Sequence, residues 1–162
     1  MRVADGRGCE APPVGIHGGS RVDTVHVKWN GKRRFVGWDE AGHGIVMDSR
    51  PEHHGDGSGA RPIELILYAL AGCTGMDVIS IMEKKRQAVT DFELVIEGTQ
   101  REDPPKIYTD ISIEYVLTGI GLTAAAVERS IELSEEKYCS VRGMLGPDVH
   151  ITTSYRIVEA ER

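Results

Sequence analysis

The chain has 162 residues, about the length of one domain. Its 40% hydrophobic and 27% charged composition supplies enough apolar material for a core without a disulfide framework. A net charge of −6, with only the short Lys32-Arg33-Arg34 cluster against it, argues against a nucleic-acid-binding surface.

The first twenty residues are rich in Gly and Pro and lack periodicity, so residues 1–20 are expected to form a flexible arm in which Cys9 is incidental. No apolar h-region interrupts them, which predicts no secretory signal and a cytoplasmic protein with reduced thiols. Residues 21–162 are expected to form a single domain. Val25, Val27 and Trp29 alternate with His26 and Lys28 as in a half-buried strand. Asn30-Gly31 then predicts a two-residue hairpin turn into a return strand over 33–38. "DEAGHG" marks a second turn, and a third strand over 45–48 completes a meander.

A polar, Gly-rich linker, "SRPEHHGDGSGAR", carries His53 and His54 beside Glu52 and Asp56. These could ligate a transition metal, but no further ligand is spaced to close a shell, and a solvated loop is expected instead. Pro62 suits the first turn of a helix. That helix, "ELILYALAGCTGMDVISIM", is apolar on most sides and ends in the cationic "EKKRQ" near Arg86. Its length approaches that of a membrane span, yet Thr74, Asp77 and Ser80 interrupt it, so a buried central helix is expected.

Phe92, Leu94 and Ile96 alternate with Glu93 and Glu97. After "EDPPK", Ile107, Thr109, Ile111, Ile113, Tyr115 and Leu117 alternate with Tyr108, Asp110, Ser112, Glu114 and Val116 in the clearest strand of the chain. Thr123 is placed to cap a second helix, with Leu122 and Val127 positioned as a hydrophobic staple. This helix is expected to reach Cys139, where Ser140 would cap a short turn. A last strand runs over 149–157. The order βββ–α–ββ–α–β predicts an α+β fold with antiparallel sheets.

Cys73 lies mid-helix, where a free cysteine is usually packing. Asp77, one turn on, shares its face and opposes ionisation of the thiol. A reactive Cys73 therefore needs a cation or a helix N-terminus brought from elsewhere. Cys139 sits where one helix ends and another turn begins, and the local pattern fits either a packing residue at the helix end or a thiol whose thiolate the next turn favours.

The segments "RPIELILYALAGCTGMDVISI" and "LSEEKYCSVRGML", in this order of elements, resemble the OsmC/Ohr family, the osmotically inducible and organic hydroperoxide resistance proteins. The resemblance covers residues 25–158. It implies an intertwined homodimer with central helices covered by sheets, and reduction of organic hydroperoxides by Cys73, with Cys139 resolving the sulfenic acid as a disulfide. An external dithiol of the lipoyl type would restore the pair, with no metal, haem or flavin required. The sequence departs from the peroxidase pattern after the helix-starting proline. Ile63 stands where the family has an acid, which comes one residue later at Glu64, and Arg61 replaces the small polar residue of a capping box. The arginine expected to pair with that acid is Arg33 or Arg34, and register with the resemblance favours Arg34. The missing acid keeps a second expectation open: a non-catalytic dimer of the same fold that binds an apolar small molecule.

Overall fold

A computed structural model describes residues 22–161. The expected arm over 1–20, with Cys9, lies outside the described residues. Strands β1 (Val25–Trp29), β2 (Phe35–Asp39) and β3 (Gly44–Met47) form the expected antiparallel meander in that spatial order. The first reversal differs from the Asn-Gly expectation. Trp29 pairs with Phe35, so residues 30–34 make the turn, and Gly31 and Lys32 take the positive φ values of 82° and 44°. Two bonds fix it, Asn30 N–H to Arg34 O at 2.8 Å and Arg34 N–H to Gly31 O at 2.9 Å.

The linker after β3 folds around one buried carboxylate, not around its histidines. Asp48 accepts from Ser49 N and Ser58 Oγ at 2.8 Å and from Asp56 N and Ser58 N at 3.1 Å. These donors, the Ser58 hydroxyl foremost, hold its carboxyl down at about 2.

Helix α1 (Glu64–Lys84) follows Pro62 and ends where Arg86 turns left-handed at φ 56°. One face, with Leu70, Thr74, Gly75, Val78 and Met82, packs inward. The opposite face leaves Ile66, Tyr68 and Met76 exposed. By length and composition α1 could cross a membrane, and 28% of its apolar window is buried.

The second sheet has the order β4–β5–β6, from β4 (Ala88–Gln100), β5 (Tyr108–Ile120) and β6 (His150–Glu159). β4 and β5 are antiparallel, but β5 and β6 run parallel, which corrects the expectation of wholly antiparallel sheets. The reason is the crossover: helices α2 (Ala124–Leu133) and α3 (Ser140–Met144) carry the chain back to the end where β5 began. An irregularity opposite Thr99–Gln100 breaks the alternation at the start of β5, so Tyr108 is buried and Ile107 is exposed. The core lies where Leu70, Val78 and Met82 of α1 meet Ile111, Ile113, Tyr115 and Leu117 of β5 and Val127 and Ile131 of α2. Val127 is buried and Leu122 packs against the same cluster, as a staple requires. Thr123 occupies the N-cap position but makes no side-chain cap, because its amide and hydroxyl both turn to Gln87 Oε1.

Candidate active site

Two local features bring the thiols together. The α2 helix does not run regularly to Cys139: its last turn, Ser134–Tyr138, widens into a π-helical turn. Cys139 N–H closes that turn on Ser134 O at 2.9 Å. Such widened turns are frequent at functional sites because they re-aim side chains without ending the helix. Here one turn aims both Ser134 and Cys139 at α1. Cys139 itself, not Ser140, is the N-cap of α3, and its Sγ accepts the Arg142 amide at 3.4 Å.

Cys73 is half-buried and Cys139 buried, and both are free. Their sulfurs and a carboxylate oxygen of Asp77 lie within 4.8 Å of one another. No other such grouping of His, Cys, Asp or Glu ligand atoms occurs among the described residues, so this trio, and not His53 and His54, is what could offer ligands to a metal. Burial pushes the Cys139 thiol up, the Arg142 amide partly offsets this, and Cys73 beside it pushes it further up.

A chain of buried hydroxyls backs the trio. Ser134 Oγ donates to Asp77 Oδ2 at 3.0 Å, Thr74 Oγ1 lies 2.9 Å from Ser134 Oγ, and Tyr115 Oη lies 2.8 Å from Thr74 Oγ1. Thr74, Ser134 and Tyr115 are all buried. Beside Cys139, Arg142 Nη1 stands 3.8 Å from Glu135 Oε1, and both atoms are buried without a hydrogen bond.

The other expected site residues lie elsewhere in the chain's fold. Glu64 closes back on Arg61, with Oε2 accepting its amide at 2.8 Å and Oε1 its guanidinium at 2.8 and 2.9 Å. It thus supplies one half of a capping box despite the arginine at that position. These Arg61 bonds hold the Glu64 carboxyl below its usual range. Arg34 reaches Asn30 O and Ser58 Oγ, each at 3.4 Å. Within one chain neither touches the thiols; nine residues of helix separate Glu64 from Cys73 by about 13.5 Å.

Sequence reasoning missed Ser134, Glu135 and Arg142. Their signal was spacing: Glu135 stands one turn before Cys139, and Arg142 three residues after it, at the third position of a capped helix.

The profile of OsmC-like proteins matches residues 55–154. The chain belongs to the OsmC-like family. It is 42% identical to protein YhfA of Escherichia coli K12 over 136 residues, 84% of this chain and 98% of YhfA. A crystal structure of an Aquifex aeolicus VF5 protein superposes with a TM-score of 0.77 at 33% identity, covering 88% of this chain and all of that one. The organic hydroperoxide resistance protein OsmC of Legionella pneumophila shares the fold at a TM-score of 0.64 and 15% identity, over 83% of this chain and 96% of its own. As an OsmC-like fold, the α+β architecture with two small sheets around the helices is that of the family.

Proposed function

We propose that this OsmC-like chain is a thiol-dependent peroxidase that reduces organic hydroperoxides through Cys73 and Cys139. The observation that carries the reading is the convergence of the two sulfurs, from residues far apart in sequence, at one half-open position. Family membership supports peroxide-related redox chemistry, and relatives of the same fold are organic hydroperoxide resistance proteins.

In this reading the Cys73 sulfur attacks the terminal oxygen of the hydroperoxide. The O–O bond breaks, the alkoxide leaves as the alcohol after taking one proton, and Cys73 is oxidised to the sulfenic acid. Cys139 then attacks the Cys73 sulfur, the S–O bond breaks, water leaves, and a disulfide forms. An external dithiol of the lipoyl type reduces the disulfide by exchange, and no bound cofactor takes part. The α3 amide on Cys139 Sγ stabilises that sulfur as it loses its proton.

The working unit in this proposal is a homodimer in the cytoplasm. The meander presents Val25, Val27 and Trp29 to solvent on one face, and α1 presents Tyr68 and Met76. A second copy laid across these surfaces would cover both. Glu64 and Arg34 would then serve the partner's site or hold the interface, since neither serves a thiol within its own chain.

Reduced protein treated with one equivalent of tert-butyl hydroperoxide should consume it and yield a Cys73–Cys139 disulfide in the mass-spectrometric map. Cys73→Ser should abolish consumption. Unchanged peroxide with both thiols free would overturn the proposal. One observation favours a second reading, a binding module for an apolar molecule. A mostly apolar groove of about 330 Å³ opens between α1 and β4, lined by Leu67, Tyr68, Ala71, Leu94 and Ile96 with Glu64 at one end of α1. Retention of a lipid-like molecule through purification, together with inert thiols, would favour it.

A further inference from the structure

Asp77 is the only acid between Glu64 and Glu83 on an otherwise apolar helix. A carboxylate in such surroundings is costly unless it is paired, yet among the described residues no cation pairs with it. Its partner is the neutral hydroxyl of Ser134. A thiol peroxidase gains nothing from a bare negative charge beside its nucleophile, because that charge opposes the thiolate. The position makes chemical sense if the carboxylate handles protons.

The hydroxyl chain orients the carboxyl group. Tyr115, Thr74 and Ser134 each bring one O–H. With a carboxylate at the far end, Ser134 donates to Asp77, Thr74 to Ser134 and Tyr115 to Thr74, and all three donors are used. With the direction reversed, the buried Tyr115 O–H would lose its acceptor. The chain therefore holds Asp77 Oδ2 as an acceptor. The π-helical turn that places Ser134 on Asp77 is the same turn that places Cys139 beside it.

We infer that Asp77 is the general acid–base of both half-reactions, held in position by the Ser134–Thr74–Tyr115 hydroxyl chain. The inference rests on the peroxidase reading and adds the path of the proton. In the first half-reaction Asp77 takes the Cys73 thiol proton as sulfur attacks the terminal peroxide oxygen. It returns that proton to the departing alkoxide, giving alcohol, sulfenic acid and the carboxylate again. In the second it takes the Cys139 thiol proton as that sulfur attacks Cys73, and returns it to the hydroxide that leaves as water. A carboxylate oxygen within 4.8 Å of both sulfurs can serve both steps by a short approach or through one water. Burial keeps Cys139 a thiol at neutral pH, so the second step has particular need of a base.

The test compares wild type with Asp77→Asn, which keeps an acceptor for Ser134 but cannot carry the proton. Two rates are read on each reduced protein: consumption of tert-butyl hydroperoxide in a single turnover, and alkylation of Cys73 by iodoacetamide. Alkylation needs the thiolate but no proton for a leaving alkoxide. The expected result is peroxide reduction slowed by roughly 10²–10⁴-fold, with alkylation slowed much less, because alkylation loses only the acceptor of the thiol proton and needs no donor to a leaving alkoxide. Ser134→Ala, which leaves Asp77 without its positioning hydroxyl, should slow peroxide reduction less than Asp77→Asn does, again with a smaller effect on alkylation than on peroxide reduction. If Asp77→Asn reduces peroxide as fast as wild type, the inference is overturned while the peroxidase reading stands. Equal slowing of both rates in both variants would reduce Asp77 to a structural group and overturn it too. Wild type that leaves the peroxide untouched would remove the peroxidase reading itself.

Discussion

Tyr115 and Asp48 are both buried hydrogen-bonding groups, and they pull stability in opposite directions on the pH scale. Burial pushes the Tyr115 phenol up to about 12, against a partial offset from Thr74. The folded state thus favours the neutral phenol. Its contribution is fully present below the ordinary tyrosine value of about 10 and is lost as pH rises through about 12. Tyr115 should ionise only with alkaline unfolding, read by tyrosinate absorbance. Tyr115→Phe should remove that step and, by leaving Thr74 without its donor, cost about 1 kcal/mol at neutral pH. Asp48 has the opposite sign. Its carboxyl sits at about 2, so its contribution is present above about pH 4 and is lost as pH falls towards about 2. Asp48→Asn should flatten the fall in melting temperature over that window, and an unchanged slope would show that the linker does not depend on this carboxylate.

At the scale of elements, each departure from the sequence pattern has a local steric or hydrogen-bonding cause. Tyr108 enters the core because β5 slips register near Thr109, and its ring lies on Gly98 of β4. A Cβ built at Gly98 would stand 2.5 Å from Tyr108 Cε1 and 2.7 Å from Cδ1. Gly98→Ala should therefore displace the ring and destabilise the protein by about 1–3 kcal/mol in denaturant unfolding. The order of strands and helices was legible in the sequence because period-2 and helical patterns with Gly and Pro punctuation mark them directly. The π-helical turn was not, since "SEEKY" continues the helical composition of α2 and only tertiary packing decides that it widens. Cys139 as cap was likewise hidden behind the better-known capping residue, Ser140, one position on.

For the whole molecule, the uncovered apolar surface is the dominant fact. Trp29 is 62% exposed, Tyr68 67% and Met76 68%, each in an element whose pattern calls for burial. If a second copy covers them, light scattering should give twice 17.8 kDa. Met76→Asp, which puts a charge on the centre of the exposed face, should shift the protein to monomer and lower its melting temperature. A monomeric wild type with intact fold would contradict the dimer.

The sequence by itself determined the α+β class, the succession of elements and the two cysteine contexts that mark the family, because these depend on local periodicity and short motifs. It could not determine what faces what. Thr74 meets Tyr115 across 41 residues and Ser134 across 60, and Asp77 meets Ser134 across 57. Nothing local records such contacts. The direction of β6 had the same origin, since a strand's pattern reads alike in a parallel or an antiparallel sheet. Only the packing of α1 against the end of α2 placed Asp77 beside two sulfurs with a hydroxyl chain behind it.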